Sequence, residues 1–358
     1  MKKRLWSILL TACLLVGLLP TVALAEGTAE QFKLTPGGTY WFDLSGENIP
    51  GTVNTGTSFG AVSVPDTTLH YVPFTYAGTV DAYKLISEMA TTVDYATQNT
   101  YSHSLFVADY AVTHTVSWNE LNTAGLIFGK SYTGGSVDYT LRAPSVGSGY
   151  TGSGDSRRGT PQSNEWDAVL DKNSSYVKNW GSIYSWGQDT ESYESLTHAI
   201  RGYSSARIWT YSNATYRYPK VGIRLVLEVL NTDTLGPDGL KAVTLDLNGG
   251  KLGGSTENIQ IVVKNGAAFT APASDGLTAP TGYNATGFKW QHSDGNLYAP
   301  GDSVPADVTT LTAKWTPDTY TVTLNKNGGS IANDKDVTEY TYGTGAALPT
   351  AADINRDG

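Results

Sequence analysis

The chain has 358 residues, 16% charged and 11% aromatic, with 39 Gly and 15 Pro. This composition favours turns and strands over long charged helices. Lys and Arg number 24 against 33 Asp and Glu, and without Lys2, Lys3 and Arg4 of the leader described next, 21 face 33, a net charge of −12. An acidic chain with no basic run excludes a nucleic-acid partner, whose phosphates demand clustered Lys and Arg.

Met1-Lys2-Lys3-Arg4, the apolar run Leu5 to Leu19 and the small-x-small ending Ala23-Leu24-Ala25 have the layout of a secretory signal peptide, residues 1–25. Export to the extracellular face or envelope of a bacterium is therefore expected. Leu10-Thr11-Ala12-Cys13 has the form of a lipoprotein box, but the apolar run continues beyond it, where a lipidated cysteine would need a polar tether. Cys13 is the single cysteine of the sequence, so disulfides, thiolate nucleophiles and Cys-held metals are not expected in the mature chain. No later segment reaches the ~20 apolar residues of a membrane span.

In chain order, Gly37-Gly38-Thr39-Tyr40-Trp41-Phe42-Asp43-Leu44 reads as a turn into a short strand, and Asp81 to Thr97 as a helix. Leu105 to Val112 is a stronger strand. Ser117-Trp118-Asn119-Glu120 starts a short helix capped by Ser117. Ser145 to Gly159, dense in Gly and Ser, reads as a surface loop, and Asn164-Glu165-Trp166-Asp167 opens a helix with acidic residues in its early turns. Asn179 to Gly187 adds Trp180, Tyr184 and Trp186, of which at least one is expected in the core. Asn231 to Leu240, with Gly236-Pro237-Asp238-Gly239, reads as an exposed, protease-sensitive linker.

Val116-Ser117-Trp118, Tyr139-Thr140-Leu141-Arg142-Ala143-Pro144, Glu165-Trp166, Arg201-Gly202 with Ser205-Ala206-Arg207, and Gly222-Ile223-Arg224 follow one another in an order that resembles the formylglycine-generating-enzyme-like branch of the C-type-lectin fold. An insertion from Val146 to Thr160 and a compressed Arg motif depart from that pattern. The resemblance implies a C-type-lectin-like domain over residues 27–230. Glu165, Trp166, Arg201, Arg207 and Arg224 would be its framework, the guanidinium groups bridging backbone carbonyls or a buried carboxylate.

The enzymes of that superfamily need paired cysteines or a histidine set. Here His70, His103, His114, His198 and His292 show no metal-ligand spacing, and each alone reads as solvated surface. A Gly-x-Ser-x-Gly elbow is absent, and a carboxylate pair for glycoside hydrolysis leaves no spacing signature. No catalytic residue, cofactor or transition-metal site is therefore expected; oxygen ligands alone would suffice for weak calcium binding.

Ile208 to Lys220 concentrates Tyr, Trp, Asn, Ser and Thr, the composition of antibody binding loops. Trp209, Tyr211, Asn213, Tyr216 and Tyr218 are its candidate ligand-binding residues; packing against their own domain is the competing reading.

Val243-Thr244-Leu245-Asp246-Leu247-Asn248-Gly249-Gly250 recurs 79 residues later as Val322-Thr323-Leu324-Asn325-Lys326-Asn327-Gly328-Gly329. Asn-Gly-Gly after a strand is a hairpin signal. Between the copies lie Gly282-Tyr283, Phe288-Lys289-Trp290 and Thr310-Leu311-Thr312-Ala313-Lys314-Trp315. The series resembles the Listeria–Bacteroides repeat, the B-repeat of internalin-type surface proteins, and implies small β-grasp-like modules at residues 241–316 and, in shortened form, 317–358. The expectation is thus an α+β, β-rich exported surface protein: a non-catalytic, adhesin-like domain on a repeat stalk, binding a host or microbial surface glycan or protein. An extracellular enzyme with an altered site, or a purely structural envelope protein, are the alternatives.

Overall fold

The computed structural model describes residues 34–56, 62–81, 103–229 and 239–356. The signal segment, the helix expected over 81–97 apart from Asp81, and residues 231–238 of the linker lie outside them. Strand accounts for 41% of the described residues and helix for 8%, so the fold is β-rich. Among the described residues no helix is long and apolar enough to cross a membrane.

The first part runs β1 (Thr39–Phe42), β2 (Thr52–Val53), β3 (Val72–Val80), β4 (His103–Ala108), β5 (Thr113–His114), α1 (Trp118–Thr123), β6 (Lys130–Gly134) and β7 (Val137–Arg142). A short hairpin follows, β8 (Gly149–Thr151) and β9 (Arg158–Thr160), then α2 (Glu165–Lys172). β10 (Tyr184–Thr190), β11 (Thr197–Arg201), β12 (Trp209–Asn213), β13 (Val221–Ile223) and β14 (Val226–Val229) complete it. Local chemistry explains the helix starts. Ser117 and Glu120 cap each other reciprocally at α1, and the Asn164 side chain accepts from the Asp167 amide at α2.

Two sheets organise this part. One has the order β12-β11-β10-β13-β5-β2; the other carries β1-β3-β4-β14-β7-β6. Tyr40 and Phe42 alternate into the core between partly exposed neighbours, as a period of two requires. Phe42 meets Phe74, Phe106 and Tyr139 edge-on at 5.2, 5.2 and 5.6 Å between ring centres.

In the second part, β15 (Leu240–Asp246), β16 (Lys251–Leu252), β17 (Ile259–Lys264), β18 (Phe269–Thr270), β19 (Leu277–Thr278), β20 (Tyr283–Gln291), β21 (Leu297–Tyr298), β22 (Ser303–Val304) and β23 (Thr310–Pro317) enclose a second core, which Tyr71 of the first part also enters. Phe288 and Trp290 of β20 pack there with Leu311, Ala313 and Trp315 of β23. The Asn-Gly-Gly motif has two requirements. Asn248 and Gly249 take φ of 48° and 81°, and a side chain on Gly250 would lie 2.4 Å from the Trp315 ring.

Residues 231–240 do not interrupt the fold at their C-terminal end. Leu240, read as linker, is buried at the start of β15, and β17 pairs in parallel with β1 through Trp41 and Ile261. The larger sheet therefore continues as β21-β20-β23-β15-β17 into β1, eleven strands in all. The turn at Gly135 fits so closely that a Cβ there would lie 2.1 Å from the Val262 carbonyl oxygen, while Lys264 donates its amide to Gly135 O at 2.8 Å. This pairing and the Gly135 contacts cross the boundary that the sequence places at residues 231–240.

The second repeat copy forms the short pairs β24 (Thr319–Thr321) with β26 (Glu339–Thr341), and β25 (Ser330–Ile331) with β27 (Ile354–Asn355). Its turn repeats the first, with φ of 44° and 80° at Asn327 and Gly328, but most of its side chains are exposed.

Candidate functional site

The framework residues converge behind β12. Glu165 in the first turn of α2 is fully buried and receives both terminal nitrogens of Arg142, one at 2.7 Å. His103 Nε2 lies 2.7 Å from its other oxygen, and Ser145 donates a backbone amide at 2.8 Å. Burial opposes the charge, yet Arg142 and His103 together hold this carboxyl well below the usual range. Arg142 also reaches Glu228 at 2.7 Å.

Two residues on, Asp167 accepts from Arg201 at 3.1 Å on each oxygen, from Arg207 at 3.0 Å and from the Gly159 amide at 2.6 Å. Arg224 makes no carboxylate pair among the described residues; it donates to the carbonyls of Ala108 and Asn179 at 2.6 and 3.1 Å, and burial lowers it to about 10. Trp166 donates to Ala206 O at 2.9 Å under the Arg201 guanidinium. The sequence singled out Glu165 and the three arginines as framework but missed their main partners Arg142, Asp167, Glu228 and His103. Pairing across strands leaves no spacing signal.

The histidines differ from the solvated reading. His103, His114 and His198 are all buried. His198 stacks on Trp118 with ring centres 3.7 Å apart, and burial pushes it down to about 4. Among the described residues no group of three His, Cys, Asp or Glu side chains could hold a metal ion.

Two loop readings change. Ser145 to Gly159 contains the β8–β9 hairpin rather than irregular chain, and the aromatic segment begins as edge strand β12, paired with β11 from Trp209↔Arg201 to Asn213↔Thr197. Trp209 is 3% exposed and belongs to the core, its Nε1 donating to Gly147 O at 3.0 Å. Tyr211, two residues along the same face, is 54% exposed, its ring centre 6.3 Å from that of Trp209. One face of one strand thus passes from covered to open.

The opening is a groove of about 940 Å³, walled by the β8–β9 hairpin, β12 and the β10–β11 loop. Tyr150 forms one wall, 5.2 Å from Trp209 and held on its ring by Arg157 at 4.4 Å. Arg157 in turn donates to Trp209 O at 3.0 Å. Tyr193, at the tip of the β10–β11 loop, is 94% exposed. Glu191 accepts the Tyr193 amide at 3.1 Å, and Ser192 donates to Ser148 O at 2.8 Å, which fixes that loop to the groove floor. Ser148 lines the groove and is 1% exposed, yet its hydroxyl has no hydrogen-bond partner among the described residues.

Of the five ligand-binding candidates, the structure brings Trp209 and Tyr211 to the groove. Asn213, Tyr216 and Tyr218 do not line it. Asn213 accepts from the amide and hydroxyl of Thr215 at 3.0 and 2.8 Å, while Tyr216 and Tyr218 are exposed on the turn that follows. Between them Arg217 pairs with Glu120 and holds its carboxyl at about 2. Sequence reasoning missed Tyr150, Tyr193 and Ser148. The signal that marked residues 208–220, aromatics set among small polar residues, is present in Ser148-Gly149-Tyr150-Thr151 and Glu191-Ser192-Tyr193-Glu194 as well. No family model, curated protein or solved structure matches the chain.

Proposed function

We propose that the chain is an exported bacterial surface protein whose first part, a C-type-lectin-like domain, binds a ligand without catalysis and is carried on B-repeat modules. The leader composition supports export. The order of the Val-Ser-Trp, Glu-Trp, Arg-Gly and Gly-x-Arg motifs supports the lectin-like plan, and the recurring Asn-Gly-Gly hairpin supports the modules.

The observation that carries the binding reading is the groove: exposed Tyr150, Tyr193 and Tyr211 stand around a buried Trp209 and an unpartnered Ser148 hydroxyl. Large exposed aromatics cost solvation, and a buried hydroxyl without a partner costs about 1–3 kcal/mol. A bound ligand relieves the first of these by covering the rings. The ion network beneath holds the groove's walls in place before binding, so little ordering remains to oppose it.

Labelled mature chain bound to epithelial cells and to bacterial cells is the test. Saturable binding that falls at least ~tenfold in the double variant Tyr193→Ala, Tyr211→Ala is expected, because interface energy concentrates in a few aromatic anchors. Equal binding by the variant would overturn the reading.

A further inference from the structure

The chemistry of the groove lining defines a ligand class, an inference that rests on the binding reading above. Apart from Gly149, the lining consists of aromatic rings, hydroxyl side chains and two carboxylates, Glu191 and Glu194. Among the described residues that line it there is no Leu, Ile, Val or Met, and no Lys, Arg or His. An aliphatic peptide anchor or an acyl chain would cover the rings but leave the hydroxyl and carboxylate groups of the lining without partners. An anionic ligand would meet the exposed Glu194 carboxylate with no Lys, Arg or His in the lining to offset it.

A basic peptide fits less well than the charge alone suggests. Glu191 is 6% exposed and already accepts the Tyr193 amide, so only Glu194 stands open to a cation. The exposed hydroxyl residues of the lining, Thr151 and Ser192, need partners that can donate or accept, as an alcohol does. The open faces of Tyr193 and Tyr211 need a flat apolar partner. A pyranose ring has both: a face of C–H bonds and a rim of hydroxyls. The volume, about 940 Å³, lies near the top of the ~300–1,000 Å³ range of small-ligand sites.

We propose that the groove between the β8–β9 hairpin, β12 and the β10–β11 loop binds a neutral glycan, one sugar face stacked on Tyr211 or Tyr193 and sugar hydroxyls bonded to the exposed hydroxyl residues Thr151 and Ser192. No metal takes part in the contact.

Titration calorimetry of the mature chain tests this with maltotriose, cellotriose, mannotriose and triacetylchitotriose as neutral probes, trigalacturonate as the anion and trilysine as the cation, each at millimolar concentration. At least one neutral trisaccharide binds, equally well in EDTA, and trigalacturonate does not. Tyr211→Ala or Tyr193→Ala weakens that binding by about tenfold or more. Ser192→Ala weakens it about three- to tenfold without lowering the melting temperature of the free protein, since it removes an exposed hydroxyl of the lining. A structural hydroxyl would show the reverse.

Binding of trilysine alone, lost in Tyr211→Ala, overturns the neutral glycan and leaves the groove as the binding site. Neutral-sugar binding that survives both tyrosine variants overturns the groove itself. Binding abolished by EDTA, or no neutral probe bound, overturns the proposal.

Discussion

Trp209 separates two regions of opposite polar logic. Behind it, Glu165, Asp167, Arg142, Arg201 and Arg207 are linked to one another and to backbone groups, their charges matched within hydrogen-bond distance. In front of it, the Ser148 hydroxyl has no partner among the described residues and three tyrosines face solvent. Both regions are rich in polar side chains, so composition alone does not tell them apart. What differs is satisfaction: buried charges matched by the fold are architecture, whereas a buried hydroxyl left open beside exposed rings is capacity for a ligand.

The sharpest way to break the packed side is Glu165→Ala. It takes from Arg142 the carboxylate that both its terminal nitrogens reach and from His103 the oxygen 2.7 Å away, and removing one partner of a buried pair costs about 3–5 kcal/mol. Denaturant unfolding should show a loss of that size; a loss under ~1 kcal/mol would mean that the network contributes little.

Acid should act on the same side. His198 is held near 4 against an ordinary value of 6.5, so below pH 6.5 the unfolded chain takes up a proton that the native chain refuses. Its contribution is complete above pH 6.5 and declines as pH falls towards 4, by on the order of 3 kcal/mol. His198→Gln should flatten that part of the stability profile, and an unchanged slope would assign it to other groups.

Arg207→Ala should cost less, about 1–2 kcal/mol, because Asp167 keeps Arg201, Asn164 and the Gly159 amide as partners. A loss as large as that of Glu165→Ala would show that the two carboxylates are not independent.

The smallest effect belongs to the open side. Tyr211→Ala with Tyr216→Ala should change the thermal midpoint by no more than ~0.5 kcal/mol of stability implies, as exposed substitutions do. A loss of ~3–5 kcal/mol would place those rings in the core and erase the contrast between the regions.

Much of the local structure was legible in the sequence because its cause is local. Ser117 and Glu120 cap α1 across three residues, Asn164 caps α2, and Asn248-Gly249 takes the positive φ that its residue types permit. The exposure of Tyr211, Tyr216 and Tyr218 also fits a segment written in small polar and aromatic residues. Trp209 does not: its burial depends on Tyr150 and Gly147, some 60 residues away, and nothing within residues 208–220 reports their approach.

By itself, then, the sequence determined a β-rich, acidic chain with capped short helices and a recurring hairpin, because composition, alternation and turn chemistry act between near neighbours. The tertiary structure decided the rest. It joined β1 to β17 across the expected boundary, paired Glu165 with Arg142 and Asp167 with Arg201, and set Tyr150, Tyr193 and Tyr211 around Ser148. Pairings of this kind depend on loop closure and on which faces pack, and many partners of equal type compete for each residue until the fold selects one.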